Sequence, residues 1–174
     1  MEHIKKSILY PRDVIARRVE EISEEISNDY RGRKVIVICV LKGAFIFLAD
    51  LARCLKIPHT IDFVRLASYG SETISSGEIA ITKDIEISIE GKDVIVVEDI
   101  VDTGLTLAYL KEKLFERKPH SLKLCTLIDK KHRRKLALEV DYVGFTVEEG
   151  FIVGYGLDYD EKFRSLPDIY VIEI

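Results

Sequence analysis

The 174-residue sequence contains no tryptophan, one methionine and three cysteines. Cys39, Cys54 and Cys125 form no CxxC pair, and Cys39 and Cys125 lie within apolar runs. This spacing is unlike that of a zinc site or a disulfide framework and favours buried, inert thiols. The sequence also lacks a membrane-length apolar run and the apolar core of a signal peptide. We therefore expect a reduced, cytoplasmic protein with no membrane partner.

Excess positive charge is absent as well. The formal net charge is −4, which argues against a general nucleic-acid-binding protein. The one basic cluster, residues 130–135, is too short to reverse this balance, and we interpret Lys131, Arg133 and Arg134 as a solvated turn. Nearly half of the residues are hydrophobic and about a third are charged. Without a repeat or a linker-like change in composition, this predicts one soluble domain spanning residues 1–174.

The apolar pattern predicts an α/β fold with a mainly parallel sheet flanked by helices. Apolar-rich runs at residues 35–41, 94–97 and 122–128 are typical of strands buried on both faces. An apolar spacing of three to four residues between positions 13 and 30 predicts an amphipathic helix. The final segment, residues 169–174, is predicted to be an edge strand.

The central apolar run ends at two adjacent carboxylates, Glu98 and Asp99. Asp102 follows, directly before Thr-Gly-Leu-Thr and a helical apolar pattern. Free backbone N–H groups and the positive end of a helix dipole favour a phosphate here, and Gly104 permits its close approach. Acidic residues at strand ends are also common as caps and solvated ends, so the two carboxylates alone assign no function.

The complete string at residues 96–106, Val-Val-Glu-Asp-Ile-Val-Asp-Thr-Gly-Leu-Thr, resembles the 5-phosphoribosyl-1-pyrophosphate (PRPP) binding signature of type I phosphoribosyltransferases. Further matches at Leu41-Lys42-Gly43, at Ser68-Tyr69-Gly70 and in residues 151–164 narrow this to the hypoxanthine-guanine branch. The resemblance covers nearly the whole chain, from about residue 34 to residue 174. It implies the type I fold, with a small hood formed by the N-terminal and C-terminal segments and a flexible lid loop at about residues 67–82.

The resemblance implies how PRPP is bound. Backbone N–H groups of residues 102–106 would hold the 5-phosphate, although Leu105 carries no positive charge where some relatives place lysine. Glu98 and Asp99 would hold the ribose hydroxyls, directly or through Mg²⁺-bound water, and are therefore expected metal-binding residues. The expected phosphate and ribose site thus consists of Glu98, Asp99, Asp102, Thr103, Gly104, Leu105 and Thr106.

Pyrophosphate would be bound by three other segments. The first is Lys42 and Gly43, where the resemblance implies a cis peptide after Leu41. The second is Arg164. The third is the lid, with Ser68 and Tyr69, which would exclude water from a reactive glycosyl cation. Because residues 67–78 are rich in Ser, Gly and Thr, they have little to hold them against a core; a plain β-hairpin arm is the alternative.

The resemblance also implies a purine site. Lys130 would contact the 6-oxo group, Phe151 would stack on the ring, and the backbone of Ile152 would meet its Watson–Crick edge. Asp158 would hold a second Mg²⁺. Without the resemblance, Phe151 is more typical of a core residue. Because ring edges are read largely by backbone, the sequence does not decide between hypoxanthine and guanine.

The implied reaction is purine salvage. Ribose 5-phosphate would move from PRPP to N9 of hypoxanthine or guanine, giving IMP or GMP and pyrophosphate, with Asp102 as the general base. Mg²⁺ is the expected cofactor, because the candidate ligands are oxygens and no Cys/His cluster suggests zinc. Relatives suggest a homodimer or homotetramer. Two alternatives remain: a sibling enzyme for xanthine, uracil or adenine, and a nucleic-acid-binding regulator that retains the fold.

Overall fold

The computed structural model describes residues 5–69 and 78–173. Nine strands, three α-helices and one 3₁₀ turn are found in these residues. In chain order they are β1 (Lys6–Tyr10), α1 (Arg12–Asp29), β2 (Val35–Leu41), α2 (Phe45–Cys54), β3 (His59–Tyr69), β4 (Glu78–Lys83), β5 (Asp93–Val101), α3 (Leu105–Phe115), β6 (Ser121–Asp129), the 3₁₀ turn (Lys131–Arg133), β7 (Tyr142–Thr146), β8 (Phe151–Val153) and β9 (Ile169–Ile172).

The main sheet has six strands in the order β4-β3-β2-β5-β6-β7. All neighbours in it are parallel except β3 and β4, which confirms the predicted mainly parallel α/β fold. Strand β5 lies between β2 and β6, in register with both. The carboxyl ends of these three strands therefore meet at one edge of the sheet, where ligands bind in open α/β folds.

Helices cover both faces of this sheet. Alternate residues of a strand point to opposite faces, so Ile95 and Val97 face α1 and α2, whereas Val94 and Val96 face α3. All four side chains are fully buried. Burial of such a side chain stabilises the folded state by about 1.5–3 kcal/mol. Strand β5 is thereby held rigidly from both sides, and its carboxyl end is fixed with it.

A smaller antiparallel sheet has the order β1-β9-β8. Strand β9 lies in its middle, so the prediction of a C-terminal edge strand is wrong. The reason is the N-terminal strand β1, which pairs Lys6 with Ile172 and covers the remaining edge of β9. Tyr10 at the end of β1 stacks on Phe145 of β7, with ring centroids 4.0 Å apart. This contact joins the smaller sheet to the larger one.

The cysteines are free thiols, and Cys39 and Cys125 are buried as predicted. Burial raises the pKa of Cys39 to about 12, which makes its thiol inert at neutral pH.

In the described ranges, no helix combines the length and the hydropathy needed to cross a bilayer.

A buried carboxylate fastens the segment between β4 and β5. Asp62 of β3 accepts hydrogen bonds from the backbone N–H groups of Phe63, Glu86 and Ile87, at 2.7, 2.7 and 2.9 Å. Burial alone raises the pKa of Asp62, but the three N–H donors outweigh it and leave the pKa below its usual value. The segment is thus held by an ionised side chain.

Candidate active site

The turn after β2 packs between two other parts of the chain. Its first peptide, Leu41–Lys42, is cis. A Cβ atom on Gly43 would overlap the carboxylate of Asp99, and a Cβ atom on Gly156 would overlap the carbonyl oxygen of Gly43. Asp99, Gly43 and Gly156 therefore stack in a column, which we call the glycine column. Only glycine fits at positions 43 and 156, because any side chain there would overlap its neighbour in the column. The backbone next to Lys42 lies directly against the acidic end of β5.

Glu98 and Asp99 lie near the carboxyl end of β5 as a partly buried acidic pair. Asp99 N donates to Glu98 Oε1 at 3.0 Å, and Ile100 N donates to Asp99 Oδ1 at 2.8 Å. Burial, and then the charge of Asp99, raise the pKa of Glu98 well above its usual range. Burial also raises the pKa of Asp99. Two carboxyls held this close, with little solvent, favour a proton or a cation between them.

This pair fits a Mg²⁺ ion that is shared with a substrate. Within residues 5–69 and 78–173, no group of three or more His, Cys, Asp and Glu side chains has the arrangement of a complete metal site. Mg²⁺ is typically held by one or two carboxylates together with substrate phosphates and water, rather than by an all-protein cage. Glu98 and Asp99 supply that number of carboxylates, and their unfavourable proximity is relieved by a cation.

Beyond β5, residues 102–104 lead into α3. Gly104 is the N-cap of α3 with φ +81°, a conformation that favours glycine. The first-turn N–H groups of a helix have no intrahelical acceptor and are free to bind an anion. They border a cavity of about 110 Å³, lined by Glu98, Ile100, Val101, Asp102, Thr103, Gly104, Thr106 and Leu107. Leu105 is the first residue of α3 and points partly to solvent. We call this space the loop cavity.

A second cavity, of about 200 Å³, lies beside the first. It is lined by Asp99, Ile100, Asp102, Lys130, Arg133, Phe151, Ile152, Leu157 and Asp158. Phe151 is 44% exposed and meets the edge of Tyr159, with centroids 5.3 Å apart, so it is not a core residue. Phe151 and Lys130 give this cavity an apolar face and a cationic donor. We call it the ring cavity.

Lys130 is buried, and its Nζ donates to the carbonyl oxygen of Gly150 at 2.7 Å. Burial lowers the pKa of its ammonium group. An ammonium carries three N–H donors, so donors remain for a further acceptor in the ring cavity.

Asp102 lines both cavities. Its Oδ1 atom is shielded from solvent and lies 2.9 Å from Nε of Arg133, an ionic contact without good hydrogen-bond alignment. A carboxylate on the wall between the two spaces can contact one ligand that extends through both. It can equally contact two ligands that meet there.

The interpretation of the basic run as a solvated turn is wrong for Arg134; Arg133 is 60% exposed, as that interpretation expects. The side chain of Arg134 is buried and pairs with Asp129, while Arg133 contacts Asp102. Arg134 also packs below Gly104, with Cδ about 3.0 Å from where a Cβ would stand. Asp102 precedes Arg133 by 31 residues, whereas Asp129 lies only five residues before Arg134. The only sequence signal for either contact was the position of the run directly after a buried strand.

Arg164 is held at the opposite side of the site. Its Nη1 donates to the carbonyl oxygen of Gly156 at 2.8 Å, and its Nη2 lies 2.9 Å from Oδ1 of Asp158. Nη2 also donates to Oε2 of Glu161 at 3.3 Å, and the same oxygen accepts from Lys42 Nζ at 3.0 Å. Glu161, which the sequence analysis did not select, thus joins two of the predicted pyrophosphate residues.

Two predicted residues are described only in part. The backbones of Ser68 and Tyr69 belong to β3 and pair with Ile79 and Glu78 of β4. The tip of the predicted lid, residues 70–77, lies outside the described residues.

Comparison with known proteins identifies the class. The family model for the phosphoribosyl transferase domain matches residues 7–160, and the chain belongs to this family. Among its relatives, the hypoxanthine-guanine phosphoribosyltransferase of Mycobacterium tuberculosis is 45% identical over 97% of this chain and 86% of that protein. The enzyme of the same name from Bacillus subtilis is 43% identical over 99% of this chain and 96% of that protein. A crystal structure of a hypoxanthine-guanine phosphoribosyltransferase from Bacillus anthracis superposes with a TM-score of 0.92, at 47% identity, covering 98% of this chain and 99% of that chain.

Proposed function

We propose that this protein is a purine-salvage enzyme that transfers ribose 5-phosphate from PRPP to N9 of hypoxanthine or guanine. The products are IMP or GMP and pyrophosphate. The observation that carries the proposal is that Asp102 lines both the loop cavity and the ring cavity. A phosphoribosyl group anchored in the first would meet a planar base in the second at this carboxylate. The names of the relatives support the same reaction.

The 5-phosphate binds in the loop cavity through the backbone N–H groups of residues 102–106. The α3 dipole and the conformation of Gly104 favour the anion. Glu98 and Asp99 hold the ribose hydroxyls, and their negative charge stabilises the cationic ribosyl group that forms as the glycosidic bond breaks. Glu98 and Asp99 would hold one Mg²⁺ ion and Asp158 a second; the bound metal would supply charge neutralisation at pyrophosphate.

Pyrophosphate binds between Lys42, the backbone of Gly43 and Arg164, with Ser68 and Tyr69 closing over it. The glycine column supports this, because it presents backbone rather than side chain beside Asp99. Arg164 is fixed by Gly156 and Asp158, so its charge is already positioned for the leaving group.

The purine occupies the ring cavity. Phe151 offers an exposed aromatic face for stacking, and Lys130 offers N–H donors to the 6-oxo oxygen. The backbone of Ile152 faces the Watson–Crick edge. Asp102 takes the proton from the imidazole nitrogen, since its carboxylate borders the space where base and ribose meet.

The test is a parallel assay of pyrophosphate release with PRPP, MgCl₂ and each of hypoxanthine, guanine, xanthine, adenine and uracil. We expect turnover with hypoxanthine and guanine. Lys130→Met should abolish the preference for 6-oxopurines, whereas Lys131→Met, which removes the same charge one residue away, should not. Turnover with adenine or uracil alone would identify a sibling enzyme instead.

A nucleic-acid-binding regulator is not favoured. Its basic face would have to come from residues 130–135, but Lys130, Arg133 and Arg134 contact Gly150, Asp102 and Asp129 within the protein.

We propose that residues 1–174 form one phosphoribosyltransferase domain. The sheet of β1, β9 and β8 supports the assignment of a hood, because it combines both chain ends and carries Phe151 and Ile152 to the ring cavity. Its lid would span about residues 67–82, whose described ends pair as parts of β3 and β4.

A homodimer or homotetramer is proposed as the assembly. Ile61 and Phe63 pair with Val37 and Cys39 of β2 and so point to the face covered by α1 and α2, yet they are 37% and 36% exposed. This apolar strip supports a subunit interface. Light scattering should show that Phe63→Asp lowers the molecular mass, whereas Phe115→Asp, at an exposed position at the end of α3, should not.

A further inference from the structure

The segment that carries Arg164 folds back and places a carboxylate between two cations. Oε2 of Glu161 lies 3.0 Å from Nζ of Lys42 and 3.3 Å from Nη2 of Arg164. The backbone supports this position, because Glu161 N donates to Oδ2 of Asp158 at 2.8 Å. Lys42 precedes Glu161 by 119 residues, so only the tertiary fold brings the three charges together.

Lys42 and Arg164 are the two cationic side chains that we assign to pyrophosphate. A single oxygen of Glu161 contacts both, as one oxygen of a bound anion would. The contact with Lys42, which is the largest contribution, and that with Arg164 lower the pKa of Glu161, so the side chain is ionised at neutral pH. The carboxylate therefore occupies the electrostatic position of the proposed ligand.

The three partners differ in how firmly they are held. Arg164 is 20% exposed and anchored by Gly156 and Asp158, whereas the Glu161 side chain is 64% exposed. Glu161 can therefore swing into solvent while Arg164 stays in place.

We propose that Glu161 is a displaceable internal anion, which pairs with Lys42 and Arg164 in the free enzyme and is replaced by the pyrophosphate group of the substrate or product. This inference rests on the proposed function. Each binding event breaks two ion pairs before it forms new ones. Glu161 therefore weakens the affinity for pyrophosphate and favours its release after transfer.

A purely supporting role for Glu161 predicts the opposite sign. If the carboxylate only oriented Lys42 and Arg164 for the ligand, its removal would weaken pyrophosphate binding. The direction of the change in affinity thus separates displacement from positioning.

The experiment is calorimetric titration of inorganic pyrophosphate with MgCl₂ into the wild-type protein and three variants. Glu161→Gln removes the charge and keeps the size. Glu161→Gly removes the side chain at a position whose φ of +58° suits glycine. Asp160→Asn is the matched control, because it makes the same change in net charge next door, where the carboxylate contacts Lys162.

Two solvent-exposed ion pairs are broken on binding, so both Glu161 variants should bind pyrophosphate about threefold to tenfold more tightly than wild type. Asp160→Asn should match wild type. A gain below about threefold in the Glu161 variants, weaker binding, or an equal gain in Asp160→Asn overturns the inference. Failure of the proposed function looks different, since wild type would then release no pyrophosphate from PRPP with any base.

Discussion

Nε of Arg133 lies 2.9 Å from Oδ1 of Asp102. The proposed general base is therefore paired with a cation in the free protein and is shielded on one side by it. Arg133 is 60% exposed, so its side chain is free to withdraw when a base enters the ring cavity.

Asp102→Asn should slow the chemical step by about 10²–10⁴-fold, because the amide keeps the size of the side chain but accepts no proton. PRPP affinity should change little, since the lost interaction forms mainly in the transition state. Single-turnover measurement is needed, because slow product release would hide the effect in kcat. A chemical step within about threefold of wild type would show that Asp102 belongs only to the phosphate loop.

Replacing both Glu98 and Asp99 by alanine should weaken PRPP binding in the presence of Mg²⁺ while leaving the protein folded. The pair lies between the two cavities and offers the carboxylates that a substrate-bound Mg²⁺ needs. Calorimetric titration with and without MgCl₂ checks this. The wild-type affinity should fall when Mg²⁺ is removed, and the double variant should show no such dependence; an unchanged dependence contradicts the assignment.

Gly43→Ala should destabilise the protein, because the new methyl group overlaps the Asp99 carboxylate. Overpacking of this kind costs about 1–3 kcal/mol. The cost should largely disappear in an Asp99→Ala background, where the overlapping atoms are absent. Urea unfolding of the two single variants and the double variant gives the coupling free energy; additive effects would refute the contact.

Arg134→Met should lower the free energy of unfolding by about 3–5 kcal/mol, because it leaves the buried Asp129 without its partner. Arg133→Met is the matched control on the exposed neighbour and should have a much smaller effect. Replacing Asp129 by leucine as well should restore most of the loss, since a paired buried charge is then exchanged for apolar contact. Equal effects of the two arginine variants would argue against the buried pair.

Asp62→Asn should reduce stability by about 1.5–3 kcal/mol at pH 7, since three backbone N–H groups lose an ionised acceptor. The pKa of Asp62 in the folded state lies below that of the unfolded chain, about 3.9. Its contribution is therefore present above that value and is lost as the pH falls through the folded-state pKa. Urea unfolding at several pH values should show the difference from wild type shrinking in acid. A difference independent of pH would mean that the charge of Asp62 is not involved.

Local patterns in the sequence predict a large part of this architecture. The β-branched run of β5, the acidic residues at its end and the glycine before α3 lie within a dozen or so consecutive positions. The strand, the loop and the helix there are each predicted by residues that are close in sequence, so the tertiary structure is not needed to predict them. The resemblance of residues 96–106 to a known signature added the ligand, and the family match agrees with it.

Contacts between segments that are distant in sequence were not predicted. Strand β9 pairs with β1, at the other end of the chain. No pattern in the short run Lys6–Tyr10 predicts that it pairs with β9. The contact of Arg133 with Asp102, 31 residues earlier, was not predicted either, because composition shows that a residue is polar but not where it lies.

The sequence by itself determined the class of fold, and it predicts the phosphate loop and the residue types of the site. Tertiary structure alone decided that Asp102 borders two cavities, that Gly43 lies against Asp99, and that Glu161 reaches Lys42 and Arg164. The physical reason is the distance along the chain over which each effect acts. Backbone propensity and periodicity act over a few residues, whereas an ion pair or a close backbone contact depends on where the whole sheet brings two segments together.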